Sequence, residues 1–196
     1  MGFALAAEAR QRGARVTLVA GPTRLEPPPV DDVVRVRSAA EMHEAIMAAA
    51  SSADVVIMAA AVADFTPAAA SPGKVAKTDA PMTLTLNRTK DILGDLGARR
   101  AASGAAGPVL VGFAAETDDL LRKAREKRAR KGADLIVAND VSQPDRGFDV
   151  ETNAVTLVSE DGDEPISLLS KDRVAAAILD RVERLMRSRV STTAPR

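Results

Sequence analysis

The sequence predicts an α/β protein with a Rossmann-like, mainly parallel sheet flanked by helices and a small β-hairpin extension. Short apolar runs suited to buried strands alternate with helical patterns, and glycine or proline clusters separate them. The chain has 196 residues, the size of one compact domain. We expect that domain to span residues 1–187 and residues 188–196 to form a disordered tail.

The first part of the chain predicts helix, strand, strand and helix. Small and apolar residues at helical spacing predict a helix over residues 2–12, which ends before a glycine. The apolar run over 15–20 predicts a buried strand, and residues 33–36 predict a shorter one. Ser38, with Glu41 at the capping-box position, predicts the start of a helix that runs to about residue 50.

The middle of the chain predicts a long loop between two strands. Residues 54–60 form an apolar run typical of a buried strand. Residues 64–80 contain prolines, a glycine and two lysines and are expected to be a loop. Residues 82–86, MTLTL, alternate as in a half-exposed strand. A helix over 91–100 and a strand over 108–113 follow.

The last part predicts two helices around a strand and a hairpin. A helix is expected over 118–131, ended by a glycine, and a buried strand over 134–138. Residues 154–169 predict a hairpin that turns at Asp161-Gly162. The final helix is expected over 171–186.

Composition excludes several classes of function. The 27 basic and 27 acidic residues cancel, which argues against a domain built for nucleic acid or an anionic membrane. The absence of cysteine excludes thiol catalysis, disulfides and cysteine-ligated zinc. The single histidine, His43, excludes a multi-histidine metal site and is expected at the surface. The most apolar run, 55–63, is shorter than the roughly 20 residues of a membrane span, so the default location is the cytosol.

The sequence lacks three short motifs that are typical of common nucleotide-binding and hydrolase families. The sequence contains no G-x-x-x-x-G-K-[ST], no G-x-G-x-x-G and no G-x-S-x-G. These absences weigh against a P-loop NTPase, a dinucleotide oxidoreductase and an α/β-hydrolase.

Distinctive segments follow four predicted strands, where ligands bind in open parallel sheets. They are Gly21-Pro22, residues 61–65, residues 113–117 and residues 139–141. Each alone is as well explained by turns and helix caps. Together on one sheet edge, with a lysine-bearing loop between them, they favour a binding cleft.

Charged residues near this edge suit a polyphosphate. Asp64 could hold Mg²⁺ by one oxygen, or could cap a loop. Lys74, in the loop PGKVAK, could close over phosphates or lie on a solvated surface. Lys127 and Lys131 are four residues apart and share one helix face, so both could reach one triphosphate, or form a solvated basic face.

Small residues near the same edge suit a flat ligand. Small residues at 60–63 and 114–115 would let a base approach the backbone. Phe113 could pack on that base, although a core position is the more frequent role of such a residue.

An ordered set of strings then identifies a family resemblance. The strings are AAAVADFTP, GKVAK, RTKDIL, VGFAAET, KGADLIVANDVS, and GF followed by NAVTLV. In this order the chain resembles phosphopantothenoylcysteine synthetase, often the carboxy-terminal half of a bacterial bifunctional coenzyme A biosynthesis protein. The resemblance covers about residues 1–187. It implies that a flavin-dependent decarboxylase domain can lie upstream.

The resemblance implies a reaction and its ligands. In that family CTP activates 4'-phosphopantothenate as an acyl-cytidylate, pyrophosphate leaves, and the amine of cysteine displaces CMP. The composition permits this chemistry, which needs cations, a base pocket and close positioning but no thiol nucleophile.

The resemblance also implies roles for individual residues. Asp64 matches the aspartate beside Mg²⁺ and the triphosphate, and Lys74 matches a lysine important for catalysis. Lys127 and Lys131 match lysines expected at the phosphates. Residues expected at the nucleotide base or beside it are Ala60, Phe113, Ala114 and Asn139. Residues expected at the substrate are Phe65 and Asp91, and Asp91 could equally be a helix cap.

The chain departs from the family pattern at its start and at two positions inside the motifs. Family members carry a strand and a Gly/Ser-rich segment before the position of Met1, so we expect an amino-terminal truncation. Ala76 and Lys90 stand where the family commonly has lysine and proline. An alternative function is therefore that of a non-catalytic nucleotide-binding or dimerising module. A third and weaker interpretation is an oxidoreductase.

The family generally forms homodimers through the β extension. By this resemblance the candidate interface strands are MTLTL, residues 82–86, and NAVTLV, residues 153–158.

Overall fold

The computed structural model describes residues 1–69, 73, 82–103, 107–116, 119–140 and 152–193. Within these ranges the helices are α1 (Gly2–Gln11), α2 (Ala39–Ala49), α3 (Ile92–Ser103), α4 (Leu120–Lys131) and α5 (Lys171–Thr193). The strands are β1 (Thr17–Ala20), β2 (Asp32–Arg35), β3 (Val55–Met58), β4 (Phe65–Pro67), β5 (Leu86–Arg88), β6 (Val109–Glu116), β7 (Leu135–Asp140), β8 (Thr152–Ser159) and β9 (Gly162–Ser170).

The central sheet has five strands in the order β3-β6-β7-β8-β9. Strands β3, β6 and β7 are parallel, and the β8–β9 hairpin adds two antiparallel strands at one side. Strands β1 and β2 form a separate parallel pair, and β4 and β5 a small antiparallel pair. The α/β class with a flanked, mostly parallel sheet is confirmed, and so is the predicted hairpin.

Helices cover both faces of the central sheet, because its interior strands are apolar on both sides. On one face Leu110 and Ile136 pack with residues of α2, α3 and α4. On the other face Val111 and Val137 pack with residues of α1 and α5. All four side chains are fully buried. The core therefore holds the parallel strands rigidly and aligns their carboxyl ends.

Strand β3 is less well covered than its neighbour β6. Its four residues are all apolar yet only half-buried, whereas Val109, Leu110 and Val111 of β6 are at most 2% exposed. Among the described strands β3 pairs only with β6. The expectation that a strand precedes residue 1 stays a prediction.

Three expectations about the β extension and the tail differ from the structure. NAVTLV lies in β8, which is hydrogen-bonded to β7 and β9, so it has no open edge for a second molecule. In MTLTL only Leu86 belongs to a strand, since residues 82–85 have no regular structure. Residues 188–193 continue α5, whereas the sequence favoured a disordered tail.

His43 is not the surface residue that its polar neighbours suggest. Its side chain is 12% exposed, and its Nε2 lies 2.8 Å from Oδ2 of Asp95. This contact joins α2 to α3. Asp95 lies four residues after Asp91 in the sequence.

Two further expectations can be compared with the described residues. The backbone N–H of Glu41 donates to Oγ of Ser38 at 3.1 Å, which confirms the predicted helix start. In the described part of the chain, no helix combines the length and the hydrophobicity that crossing a membrane requires.

Candidate functional site

Several of the predicted residues lie near the edge where the parallel strands β3, β6 and β7 end. Ala60 and Asp64 lie exposed in the loop that follows β3. Phe113 is half-buried in β6, where it packs against the α1/α5 side of the core, and Ala114 is 3% exposed. Asn139 lies in β7 and pairs in register with a residue of β6. This arrangement follows from the parallel pairing, which brings carboxyl ends of strands together.

Thr89 ties the loop after β3 to the segment that leads into α3. Its backbone N–H donates to the carbonyl of Asp64 at 2.9 Å. Its Oγ1 donates to the carbonyl of Ala63 at 2.6 Å. Phe65 and Arg88 continue this link as partners in the β4–β5 pair. Asp64 is therefore held close to the beginning of α3, a role for Thr89 that sequence reasoning missed.

Helix α3 lies close to the sheet because of a glycine in β6. A Cβ at Gly112 would lie 2.5 Å from Leu93 and 2.9 Å from Ile136. Asp91 stands just before the helix, and its Oδ1 accepts the backbone N–H of Gly94 at 3.0 Å. The structure therefore confirms that Asp91 caps the helix. Gly112, in the VGF string, has a packing role.

Two lysines of α4 extend toward this edge of the sheet. The Nζ of Lys127 donates to the carbonyl of Phe113 at 2.7 Å. The Nζ of Lys131 forms an ion pair with Oδ2 of Asp91. Burial lowers the pKa of Lys131, and the nearby carboxylate of Asp64 opposes that effect. Lys131 therefore lies between the carboxylates of Asp91 and Asp64, and Lys127, on the same face of α4, contacts the backbone of β6.

The remaining bases of α4 with described partners point elsewhere. Arg122 pairs with Asp119 and Glu126 on its own helix. Arg125 forms an ion pair with Asp163, and Arg128 lies 3.7 Å from Glu160, both on the β8–β9 hairpin. These three arginines therefore have structural partners away from the two lysines at the candidate site.

Asn139 offers a buried acceptor at the end of β7. Its Oδ1 is buried and has no hydrogen-bond partner within the described part of the chain. Buried polar atoms are nearly always hydrogen-bonded in native proteins, by protein, water or ligand. An N–H group on a bound molecule would satisfy this oxygen, which fits the prediction of a nucleotide site.

Other predicted residues have weaker or no structural context. Phe65 is 51% exposed at the start of β4, so about half of the residue is accessible to a ligand. Lys74 and the rest of the lysine loop, apart from Gly73, lie outside the described residues. No group of three or more histidine, aspartate or glutamate residues that could hold a metal occurs in the described ranges. A metal held mainly by phosphate oxygens needs only one or two protein carboxylates, and Asp64 fits that sparse donor set.

Comparisons with known proteins give the context of this site. The chain is 45% identical over 187 residues to the coenzyme A biosynthesis bifunctional protein CoaBC of Bacillus subtilis (strain 168). That match covers 94% of this chain, and the chain spans 45% of the length of that relative. A Cab2 mutant H337A, solved in complex with phosphopantothenate-cysteine, has the same fold, with a TM-score of 0.63, 18% identity and coverage of 83% of this chain and 55% of that chain.

A more similar solved structure is the C-terminal domain of the coenzyme A biosynthesis bifunctional protein CoaBC. It superposes with a TM-score of 0.76 and 36% identity, covering 95% of this chain and 82% of that domain. A family model, the DNA/pantothenate metabolism flavoprotein C-terminal domain, matches residues 1–186. By both comparisons the chain belongs to the family of the DNA/pantothenate metabolism flavoprotein C-terminal domain.

Proposed function

We propose that this domain is a phosphopantothenate–cysteine ligase of coenzyme A biosynthesis that uses CTP. The observation that carries the proposal is that Lys131 meets Asp91, with the carboxylate of Asp64 nearby, at the carboxyl edge of the parallel strands. Lys127, on the same helix face, reaches the carbonyl of Phe113 in β6. The same edge carries the buried acceptor of Asn139. The relationship to coenzyme A biosynthesis proteins supports this reading.

The proposed reaction has two steps that suit such a site. A carboxylate oxygen of 4'-phosphopantothenate attacks the α-phosphorus of CTP, and the bond to the β-phosphate breaks, releasing pyrophosphate. The amine of cysteine then attacks the acyl carbon, loses a proton, and displaces CMP. Activation is necessary because a free carboxylate is a poor electrophile.

The chain's own groups supply charge and position. The ammonium groups of Lys127 and Lys131 offset the negative charge that develops on the departing pyrophosphate. Lys127 is held by the carbonyl of Phe113, so it needs little reorganisation. Ala60 is small and exposed, and cytosine is proposed to lie against it and against the half-buried ring of Phe113. Ala114 is buried on the other face of β6, so its contribution would come from its backbone groups. Asn139 accepts an N–H of the nucleotide.

Magnesium is part of this proposal. When bound to the triphosphate it would neutralise phosphate charge, and Asp64 is the carboxylate that would hold it. Lys74 is proposed to contribute a further cation from its loop, as the resemblance implies.

Pyrophosphate release tests this function. In the presence of Mg²⁺, we expect the chain to release pyrophosphate from CTP only when 4'-phosphopantothenate is also present. Lys74→Ala should reduce that rate by about 100-fold, the usual effect of losing one transition-state contact. CMP should then appear upon addition of cysteine.

The outcomes separate ligase from binding module. Pyrophosphate release that does not need phosphopantothenate, or that survives Lys74→Ala, would contradict the ligase. Tight CTP binding without any release would support the non-catalytic module instead.

We also propose a homodimer, with residues around MTLTL at the interface. Met82, Leu84 and Leu86 are 68%, 64% and 51% exposed, which is unusual for large apolar side chains so close together. Light scattering should give twice the chain mass, and Leu84→Glu should give the monomer mass. A monomeric mass for the unaltered chain would rule this out.

We also propose that a flavin-dependent decarboxylase domain lies upstream of this domain in the full-length protein. It is consistent with the word bifunctional in the relatives' name and with the 45% of their length that this chain spans.

A further inference from the structure

The start of α3 carries a pattern that the proposed reaction has not used. The string DILGDLG places Asp91, Gly94 and Gly97 three residues apart, so the two glycines lie on one side of the helix. Asp91 uses one carboxylate oxygen to cap the helix and the other to bind Lys131. Its carboxylate therefore joins α3 to α4 at the site.

Gly94 leaves the space that the carboxylate of Asp91 occupies. A Cβ at position 94 would lie 2.7 Å from Oδ2 of Asp91 and 2.9 Å from its Cγ. Any larger residue would push the carboxylate away from the oxygen position that meets Lys131. Asp91 remains about half exposed, whereas the side chain of Lys131 is 16% exposed.

Gly97 allows the end of α4 to pack directly against α3. A Cβ at position 97 would lie 2.0 Å from the carbonyl oxygen of Lys131 and 3.0 Å from its carbonyl carbon. The backbones of α3 and α4 therefore touch at this point. Because this contact brings the base of the Lys131 side chain against α3, the ammonium can reach Asp91 near the helix start.

We propose that Asp91 is a positioning residue that acts on the nucleotide through Lys131, in a seat formed by Gly94 and Gly97. The carboxylate keeps the lysine ammonium at the carboxyl edge of the sheet, next to Asp64. This inference rests on the proposed function, since Lys131 is there assigned to the phosphates. It differs from the expectation that Asp91 contacts the substrate directly.

Asparagine at position 91 separates positioning from helix capping. Asparagine caps helices about as well as aspartate, so Asp91→Asn keeps the bond to Gly94 and loses only the ion pair. A residue that acts through another has no effect once that other residue is removed. The informative set is therefore the wild type, Asp91→Asn, Lys131→Met and the double variant.

The rate of pyrophosphate release from CTP gives the first arm of the test. We expect Asp91→Asn to lower kcat about tenfold, with KM for CTP little changed, and to change the Lys131→Met variant less than about twofold. An equal loss in both backgrounds would overturn the proposal, because Asp91 would then act independently. Asp95→Asn is the matched control, since Asp95 pairs with His43 and should leave the rate unchanged.

The Lys131 side chain gives a second arm that needs no activity. In protein labelled with ¹³C-lysine, the Cε resonance of Lys131 is the signal lost in Lys131→Arg. We expect it to shift in Asp91→Asn and Gly94→Ala and to stay in place in Asp95→Asn. An unmoved resonance in Asp91→Asn would overturn the inference. Failure of all proteins to release pyrophosphate would count against the proposed function alone, and this resonance would still decide the role of Asp91.

Discussion

Replacing Lys131 by methionine is expected to lower kcat/KM for CTP by about 100-fold, as found when one preorganised transition-state contact is removed. Methionine keeps an unbranched apolar stem in a place where the lysine side chain is only 16% exposed. The substitution therefore removes the positive charge from the edge of the sheet with little change in packing. Pyrophosphate release measured over a range of CTP concentrations would show the loss.

A neighbouring base provides the control for this result. Arg130 lies one residue before Lys131 on α4 and is exposed. Neighbouring residues of a helix lie on different faces, so Arg130→Met removes the same charge from an exposed position and should change kcat/KM less than about twofold. Equal effects of the two substitutions would mean that only the overall charge of α4 matters, and the assignment of Lys131 to the phosphates would be wrong.

Gly97→Ala is expected to lower the free energy of unfolding by about 1–3 kcal/mol, the usual cost of overpacking. The added Cβ would lie 2.0 Å from the carbonyl oxygen of Lys131. No side-chain rotation can relieve this contact, because the oxygen belongs to the backbone. Helix α3 must move away from α4, so the ammonium of Lys131 should also lose its place. Urea unfolding followed by circular dichroism gives the first quantity, and pyrophosphate release the second.

The adjacent residue tests whether any substitution in α3 has this effect. Ala98 is exposed on the same helix, so Ala98→Ser should change the free energy of unfolding by no more than about 0.5 kcal/mol. If Gly97→Ala were as stable as the unaltered chain, the close contact between α3 and α4 would not exist in solution. The seat proposed for Lys131 would then fail with it.

Much of the local structure follows from the sequence because it depends on neighbours along the chain. Ser38 and Glu41 are three residues apart, and this spacing alone placed the beginning of α2. The hairpin at Asp161-Gly162 follows from the turn residues between two alternating strands. Lys127 and Lys131 share a face of α4 because of the helical period. Their expected place beside the nucleotide came from the family resemblance.

Some expectations differed where long-range pairing prevailed over local pattern. NAVTLV alternates and is an interface candidate by the family resemblance, but β7 and β9 hydrogen-bond to both of its edges. MTLTL alternates in the same way, and yet only Leu86 finds a strand partner. Alternation describes two faces of a strand; it contains no information about its edges, which depend on the order of strands in the sheet.

By itself, then, the sequence determined the α/β class, most of the elements and the family, since periodicity, turn residues and ordered motifs are all local properties. Only the tertiary structure decided that Lys131 meets Asp91, that Gly97 touches the end of α4 and that His43 is largely covered and pairs with Asp95. These partners are far apart along the chain. Their contacts depend on how closely two helices pack on one sheet, and that distance is determined by the absence of side chains at Gly97 and Gly112.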